Sequence, residues 1–311
     1  MTPPTALVRS AAVIGGSGQV GRMVATRLRA DGLRIHTVDL QPALGPDHVQ
    51  GDITESSSQV RTLLGSVEAV VLAVPESVAL AAIPVLSKSM AEQALLVDTL
   101  SVKSRFAAAL QSSELCNSAV GINPMFAPTL DPSGRPIAAV TYRGGRPVDW
   151  FLSRMSEGWG ASVVSLDAER HDRLTAVTQA LTHAGILAFG LALAELGVDG
   201  RDLTALATPP HLMSLALLAR VGGGVPEVYW DIQSANPFAR EARLALTSAL
   251  HTLVETVDHG TEHHFGALMA RACSPLGDEQ APLAALCADI FTDSLRPPSR
   301  VGTGTETRDD S

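Results

Sequence analysis

A glycine-rich loop near the amino terminus constrains the fold of this chain more than any other feature. An apolar run over residues 12–14 leads into the loop, where Gly16, Gly18 and Gly21 have the spacing G-x-G-x-x-G, and a helical stretch follows. In dinucleotide-binding folds the first glycine permits a tight turn, the second lets the backbone approach a pyrophosphate, and the third lets helix and strand pack closely. The loop therefore predicts a strand, a phosphate-binding turn and a helix whose free N–H groups point at an anion.

An acidic residue after the second predicted strand favours one cofactor. Asp39 lies 18 positions after Gly21, where a carboxylate accepts hydrogen bonds from the adenosine ribose diol and repels a 2′-phosphate. NAD is therefore favoured over NADP, and a glycine-rich turn in another α/β fold is the alternative interpretation. The predicted cofactor-binding residues are Gly16, Ser17, Gly18, Gln19, Val20, Gly21, Asp39, Val74 and Pro75.

The first half of the chain alternates β-branched runs with helical stretches. The runs cover residues 11–14, 34–39, 69–74, 95–98, 119–123, 137–142 and 162–166. This alternation is typical of βαβ units and predicts a largely parallel sheet covered by helices. The fold class is therefore predicted as α/β, with a Rossmann-type amino-terminal domain followed by an all-α dimerisation domain.

The β-branched runs stop after Asp167, and the second half reads as helical. We predict a dinucleotide-binding domain over residues 1–167, a helical substrate and dimerisation domain over 168–295, and a disordered tail over 296–311, where apolar side chains are scarce. One helix over 168–197 would be ~45 Å long and nearly apolar around its circumference. Burial against a second copy is the expected remedy, which predicts a homodimer.

Composition excludes several classes of partner and compartment. Lys and Arg total 23 against 32 Asp and Glu, a formal charge of −9, so no nucleic-acid partner is expected. The apolar windows at 69–86 and 186–198 are interrupted by Pro75, Glu76 or Glu195, so no membrane span is predicted. Three cysteines without a C-x-x-C pair predict reduced, mostly buried thiols and a cytoplasmic protein.

Three further segments, together with the glycine loop, resemble the prephenate and arogenate dehydrogenase family. They are VDTLSVK at 97–103, GINPMFAP at 121–128, and HDR at 171–173 with QALTH at 179–183. The similarity runs from about residue 11 to about residue 288. It implies NAD(P)-dependent oxidative decarboxylation of a cyclohexadiene dicarboxylate: a hydride leaves ring C4 for the nicotinamide, the ring carboxylate leaves as CO₂, and the ring becomes aromatic. The resemblance also implies homodimers with intertwined helices.

The resemblance implies roles for individual residues. Ser101 matches a serine near the C4 substituent, His183 a substrate-contacting histidine, and Arg220 the arginine that holds a substrate carboxylate, with Tyr229 following at the expected spacing. A planar guanidinium suits that task because it pairs bidentately with a carboxylate. The alternatives are a helix N-cap for Ser101, a buried histidine without a ligand for His183, and an exposed salt-bridging arginine for Arg220.

A polar row on the long helix supports the histidine independently. Thr175, Gln179 and His183 are spaced i, i+4, i+8 and would share one face of an otherwise apolar helix. By contrast, His259 and His263 are spaced like metal ligands, but Gly260 interrupts any helix there. We therefore predict no metal site.

The chain departs from the family at one position. Prephenate dehydrogenases carry H-P-M-F-G-P, and this chain has Asn123 in place of the histidine. The histidine accepts the proton of the C4 hydroxyl as hydride leaves, which asparagine cannot do because its amide only donates or accepts hydrogen bonds. A substrate with an amine at C4 needs no such base.

The sequence thus predicts an NAD-dependent dehydrogenase whose catalytic residues are Asn123, Ser101 and His183, acting on 4-amino-4-deoxyprephenate. The alternatives are an ordinary prephenate or arogenate dehydrogenase and, from another class, a non-catalytic dinucleotide-binding regulatory protein.

Overall fold

The structure, a computed structural model, describes residues 7–42, 45–55 and 57–293. The predicted tail over 296–311 lies outside the described residues. The described part contains one eight-stranded sheet, and its second half is entirely helical. The predicted fold class, a mostly parallel Rossmann-type sheet followed by a helical region, is confirmed.

The sheet has the strand order β3-β2-β1-β4-β5-β6-β7-β8. Its strands are β1 (Ser10–Ile14), β2 (Arg34–Asp39), β3 (His48–Gln50), β4 (Ala69–Leu72), β5 (Leu95–Asp98), β6 (Ala119–Pro124), β7 (Pro136–Arg143) and β8 (Ser162–Leu166). Neighbouring strands are parallel except β6 and β7, which run antiparallel. The parallel strands from β2 to β6 therefore end at the same edge, which is where ligands bind in open α/β sheets.

All seven predicted strands form, and one further strand was missed. Strand β3 has only three residues and no apolar run, so it gives no sequence signal. It pairs parallel with β2, and the Thr37 hydroxyl lies 3.0 Å from Nδ1 of His48.

Five α-helices and one π-helical segment (Arg154–Gly158) accompany the sheet, and the α-helices are α1 (Gln19–Ala30), α2 (Ser58–Ser66), α3 (Glu76–Ser89), α4 (Ser104–Gln111) and α5 (Arg146–Ser153). Successive residues of a strand point to opposite faces, so a strand that is covered on both sides contributes to two cores. Val13 and Val71 belong to the core that includes α1 and α5, whereas Ala12 and Val70 belong to the core that includes α2, α3 and α4. Burial on both faces explains why these strands read as continuous apolar runs.

The later helices begin with α6 (Ala168–Thr175), a π-helical segment (Ala176–Leu181) and α7 (Thr182–Leu196). They continue with α8 (Gly200–Ala205), α9 (Pro209–Gly222), α10 (Pro226–Ser234), α11 (Ala239–His259), α12 (Glu262–Cys273) and α13 (Gln280–Asp293). Helix α7 ends at Gly197, whose φ of 66° is left-handed, as expected of a glycine stop. Gly260 separates α11 from α12, which confirms the predicted break.

The long helix differs from the regular α-helix that the sequence predicts. A π-helix bonds i to i+5, so each turn holds more residues than an α-helical turn. The i, i+4, i+8 row of Thr175, Gln179 and His183 is therefore interrupted by the segment Ala176–Leu181. Thr175 is nearly fully buried, and its hydroxyl donates to the His171 carbonyl at 3.1 Å, so this member of the row is structural.

The described residues form two compact units. One contains the residues up to Ala180 together with Val225–Ala242; the other contains Leu181–Gly224 and the residues from Arg243 onward. The predicted division at residue 167 coincides with the end of β8 and the change to helical structure, whereas the compact units divide later along the chain. Helix α10 thus belongs to the unit with the sheet.

The helical unit leaves much apolar surface uncovered by its own chain. Within the described part, α7, α8 and α12 contain no buried residue. Leu191 and Leu196 on α7 remain 73% and 74% exposed. By length and hydropathy alone, the helix over Ala168–Leu196 is also able to cross a membrane. The sequence analysis did not anticipate this, because it required an uninterrupted run of apolar residues.

The cysteine prediction is partly wrong. All three thiols are free, as expected, but Cys116 and Cys287 are exposed and only Cys273 is partly covered. The prediction failed because a low cysteine count limits disulfide formation and says little about burial.

Candidate functional site

The glycine loop connects β1 to α1 and approaches its neighbours closely. The tight turn is made by Gly15, whose φ is 78°, and not by Gly16 as predicted. A Cβ on Gly16 would lie 2.7 Å from Thr37, and one on Gly21 would lie 2.2 Å from the Gly15 carbonyl oxygen. Close packing of helix and strand was predicted at Gly21, and there α1 packs against Gly15 and Gly16, directly after β1. Gly16 itself packs against strand β2.

The amino terminus of α1 is free to bind an anion. Gly18 is the N-cap, and no side chain caps the first turn, which begins at Gln19. Gly18 is exposed, and a Cβ there would meet only the Gly15 carbonyl oxygen, at 3.3 Å. Val20 packs against the core, so the helix is fixed while its free N–H groups face outward. This cradle fits a pyrophosphate.

Asp39 stands at the end of β2 beside the loop. One carboxylate oxygen accepts from the Ser17 N–H at 2.9 Å, and the other accepts from the Gln41 N–H at 3.1 Å. The residue remains partly exposed, and each oxygen retains a lone pair for a further donor. The carboxylate therefore orders the loop and is still able to accept from a ribose hydroxyl.

The end of β4 completes this edge. Val74 is partly buried and Pro75 is exposed and forms the N-cap of α3. A Cβ on Gly15 would lie 2.2 Å from the Ala73 carbonyl oxygen, so the loop and the end of β4 are in contact. The predicted cofactor residues thus lie along one edge of the sheet.

A buried ion pair links the ends of β5 and β6. Nζ of Lys103 donates to Asp98 at 2.5 Å and to the Ile122 carbonyl at 2.9 Å, and both side chains are completely buried. Asp98 also accepts from the Leu100 N–H at 3.0 Å. Burial lowers the pKa of Lys103, opposed by the adjacent Asp98 carboxylate. The bond to the Ile122 carbonyl holds the chain directly before Asn123.

Asn123 lies near the carboxyl end of strand β6 and is 4% exposed. Its amide Nδ2 lies 3.2 Å from Nε2 of His171, and Nδ1 of His171 lies 2.8 Å from Oδ1 of Asp172. Asp172 also accepts from the backbone N–H groups of Lys103 and Ser104, each at 2.8 Å. A continuous buried network therefore joins Asn123 to the start of α6 and to α4.

The charges of this network follow from its surroundings. Burial raises the pKa of Asp172, but hydrogen bonds from His171, Ser104 and Lys103 outweigh burial and leave this pKa below its ordinary value. Burial, with the nearby Lys103 ammonium, lowers the pKa of His171. At neutral pH Asp172 is therefore ionised and His171 is neutral.

Ser101 lies in the turn between β5 and α4. The helix begins at Ser104 with Lys103 as N-cap, so the alternative that Ser101 caps the helix is wrong. Ser101 is partly exposed, and none of the hydrogen bonds found among the described residues involves its hydroxyl. That hydroxyl is available to a ligand.

Gln179 and Tyr229 lie in the same unit as the sheet. Nε2 of Gln179 lies 3.9 Å from the sulfur of Met125, and none of the described residues donates a hydrogen bond to its enclosed Oε1. Tyr229 is half-buried on α10, which is held by a bond from the Gln233 amide to the Ala180 carbonyl at 2.8 Å. Gln179 thus lies beside the segment that follows Asn123.

His183 and Arg220 come together in the helical unit. They lie on α7 and α9, which approach closely where Gly190 meets Leu218. Partial burial, then the positive charge of Arg220, lowers the pKa of His183. Arg220 itself is exposed, so its positive charge lies at the surface of the helical unit near His183.

Sequence reasoning missed the network behind Asn123. Asp98, Lys103, His171 and Asp172 all fall in the segments that carry the family resemblance, but no role was assigned to them. The available signal was the presence of charged residues next to apolar strands and at a helix start.

Comparisons with known proteins show to which family the chain belongs. The family model described as the prephenate dehydrogenase dimerization domain matches residues 167–271. A 4-amino-4-deoxyprephenate dehydrogenase of Streptomyces pristinaespiralis is 48% identical over 283 residues, which cover 90% of this chain and 95% of that protein. The chain belongs to the prephenate dehydrogenase family. The resemblance found in the sequence is thereby confirmed, and this family member is a dehydrogenase.

Two further similarities extend across the dehydrogenase family. A T-protein of Enterobacter agglomerans is 29% identical over 278 residues, covering 87% of this chain and 68% of that protein. The crystal structure of prephenate dehydrogenase from Aquifex aeolicus with hydroxyphenyl propionate and NAD+ has a TM-score of 0.62 at 19% identity, covering 93% of this chain and all of that one. At this identity the structural similarity establishes the shared fold.

Proposed function

We propose that this enzyme oxidatively decarboxylates 4-amino-4-deoxyprephenate with NAD, giving 4-aminophenylpyruvate, CO₂ and NADH. A hydride leaves C4 for the nicotinamide, the bond to the ring carboxylate breaks, and its electron pair completes the aromatic ring. The product is a precursor of p-aminophenylalanine, which antibiotic pathways use. The observation that carries the proposal is Asn123, which stands at the position of the family's histidine and is joined to His171 and Asp172 in a buried hydrogen-bond network.

An amine explains the asparagine. Removing a general base ordinarily costs about 10²- to 10⁴-fold in rate, so a hydroxyl substrate would be poorly served here. The lone pair of a neutral amine assists hydride departure without loss of a proton at that moment. The Asn123 amide then only needs to accept a hydrogen bond from an N–H of the C4 amine. The Streptomyces relative, named for the amino substrate, supports the same choice.

Ser101, Gln179 and Tyr229 are proposed to contact the ring and its substituents, while His183 and Arg220 are proposed to bind a carboxylate. The free first turn of α1 and the Asp39 carboxylate fit the pyrophosphate and ribose of NAD. The cofactor would supply the hydride acceptor, and the chain would supply binding and orientation.

We also propose a homodimer in the cytoplasm, without nucleic-acid or membrane partners. The apolar helices of the second unit are poorly covered by their own chain, and the matched family model is a dimerization domain. A second copy, rather than lipid, accounts for the apolar stretch Ala168–Leu196, because its first turns carry Glu169, Asp172 and Arg173.

Parallel assays test the function. The protein is supplied with NAD and, separately, with 4-amino-4-deoxyprephenate, prephenate and arogenate, and NADH absorbance is followed. Preferred turnover of the amino compound is expected. Preference for prephenate or arogenate would favour the tyrosine-pathway alternative, and turnover of none of the three would favour a non-catalytic dinucleotide-binding protein.

Replacing Asp39 by alanine should weaken NAD binding more than NADP binding, because the variant loses a ribose acceptor and also the repulsion of a 2′-phosphate. Loss of the bond to Ser17 N–H should weaken both cofactors to some extent. Dissociation constants from fluorescence titration provide the measurement. Asp39→Asn, which keeps an acceptor without the charge, should retain more NAD affinity, and equal losses for both cofactors would contradict the assignment.

Replacing Arg220 by alanine should reduce kcat/KM by about 30-fold, which corresponds to ~2 kcal/mol of a charge-assisted hydrogen bond to a carboxylate. This free energy is taken from the lower end of the range for such hydrogen bonds because Arg220 is exposed. NAD affinity should change little. Arg271→Ala removes another exposed arginine of the helical unit and serves as the control; an unchanged kcat/KM in Arg220→Ala would remove Arg220 from the site.

A further inference from the structure

His171 determines which way the Asn123 amide faces. The Asp172 carboxylate is ionised and only accepts hydrogen bonds, so Nδ1 of His171, 2.8 Å from it, must carry the hydrogen. A neutral imidazole holds only one hydrogen, so Nε2 is left with a lone pair. That lone pair, 3.2 Å from the Asn123 amide, can only accept.

The amide of Asn123 must therefore turn its NH₂ group toward His171 and its carbonyl oxygen the other way. The tautomer of His171 alone sets this orientation of the amide. The carbonyl oxygen accepts no hydrogen bond from the described residues. Unlike Oε1 of Gln179, it is not completely enclosed. It thus keeps some access to a ligand.

We infer that His171 is a positioning residue that fixes Asn123 as a hydrogen-bond acceptor toward the C4 amine of the substrate. This inference rests on the proposed function. A carbonyl oxygen that accepts an N–H of the amine leaves the nitrogen lone pair free to assist hydride departure. The reversed amide would donate its own N–H to that lone pair and slow the reaction.

The pair Asp172 and His171 is itself held rigidly. The Asp172 carboxylate accepts from two backbone N–H groups at the start of α4. The side-chain amide of Asn236 donates to the backbone carbonyl of Asp172 at 2.8 Å. His171 and Asp172 are both completely buried. The orientation of Asn123 is therefore set by groups that have no freedom to rotate.

Two substitutions at His171 separate positioning from structure. His171→Gln can place a side-chain oxygen near the position of Nε2 and still accept from Asn123. His171→Asn can place an NH₂ near the position of Nδ1 and satisfy Asp172, but it is too short to reach Asn123. For His171→Asn we expect kcat with the amino substrate to fall about tenfold, the rate equivalent of one hydrogen bond, with little change in KM. His171→Gln should retain most of the activity.

Equal losses in both variants, or a loss confined to His171→Gln, would overturn the inference. Thermal unfolding of each variant identifies a general loss of structure, which would alter both stability and NAD binding. If the parent enzyme does not turn over the amino substrate at all, the proposed function is wrong.

A spectroscopic measurement tests the tautomer without any substrate. Nitrogen-15 NMR of the imidazole at neutral pH should report hydrogen on Nδ1 of His171, identified by comparison with the His171→Gln protein. Hydrogen on Nε2 would reverse the amide and overturn the inference even if the proposed substrate is correct.

Acid should release the constraint. Protonated His171 carries hydrogen on Nε2 and becomes a donor, which requires the Asn123 amide to turn. The charged groups that face His171 are Lys103, whose ammonium lowers the histidine's pKa together with burial, and the carboxylates of Asp172 and Asp98, which raise it. Because the pKa of His171 lies below its ordinary value of 6.5, kcat of the parent enzyme should fall as the pH decreases below 6.5. The same fall in His171→Gln would contradict this explanation.

Discussion

Replacing Asn123 by histidine should raise kcat/KM for prephenate by about 10²-fold or more, because an imidazole restores the base that takes the C4 hydroxyl proton. The network accommodates the change: a neutral histidine at 123 is able to donate one ring N–H to Nε2 of His171 and keep the other nitrogen as an acceptor. Prephenate turnover should then depend on pH near ~6.5, which is measured from NADH formation across a pH series.

The same substitution should leave turnover of the amino substrate unchanged or reduce it. The imidazole fills a site that is shaped for a smaller amide, and its protonated form repels an ammonium group. The decisive quantity is the ratio of kcat/KM for the two substrates. If both values fall together, Asn123 has a structural role near the end of β6 and does not select an amino substrate. Asn117→His, at a buried asparagine that binds the Ala91 and Ala94 carbonyls, controls for general damage.

Replacing Asp172 by alanine should lower the free energy of unfolding by about 3–5 kcal/mol, the scale for removing one member of a buried charge-assisted network. The change leaves Nδ1 of His171 and the N–H groups of Lys103 and Ser104 without their acceptor. Urea unfolding at pH 7 is the measurement, and a shift of the midpoint at constant slope indicates that stability changed.

Asp167→Ala provides a matched comparison for Asp172. Asp167 is an aspartate of the same region, but its side chain only caps α6 by accepting from the Arg170 N–H at 2.8 Å. Its loss should cost about 1 kcal/mol. Similar values for the two variants would mean that the Asp172 network contributes no more than an ordinary cap.

The stability conferred by His171 has a definite sign with pH. Its pKa is lower in the folded chain than its ordinary value of 6.5, so the unfolded chain binds a proton first as pH falls. Stability is therefore fully present above pH 6.5 and is lost as pH falls through the lowered pKa of the folded state.

The sequence predicted those features that are recorded in local patterns. Seven strands were predicted from β-branched runs, which are most continuous in strands buried on both faces such as β4 and β5. The helix predicted over 168–197 ends at Gly197, where the left-handed backbone favours glycine. Strand β3 was missed because three mostly polar residues gain their conformation from the neighbouring strand.

The network at Asn123 is different in kind. Lys103 and Asp172 are 69 positions apart in sequence, and neither has a neighbour whose type points to the other. The π-helical segment likewise depends on the surroundings of the helix, since its composition of Ala, Val, Thr, Gln and Leu suits an ordinary α-helix. Residue patterns thus identified Asn123 as unusual, whereas three-dimensional proximity was needed to identify what holds it.

The buried ammonium of Lys103 and the carboxylate of Asp98 also restrict how this sequence can evolve. Two apolar residues in their place could be nearly neutral for stability, but losing either partner alone strands an uncompensated charge. A lineage that changes one codon at a time must pass through that unfavourable intermediate. The pair can therefore be inherited unchanged for long periods even where its net contribution to stability is small, because the barrier lies between the alternatives and not in the final state.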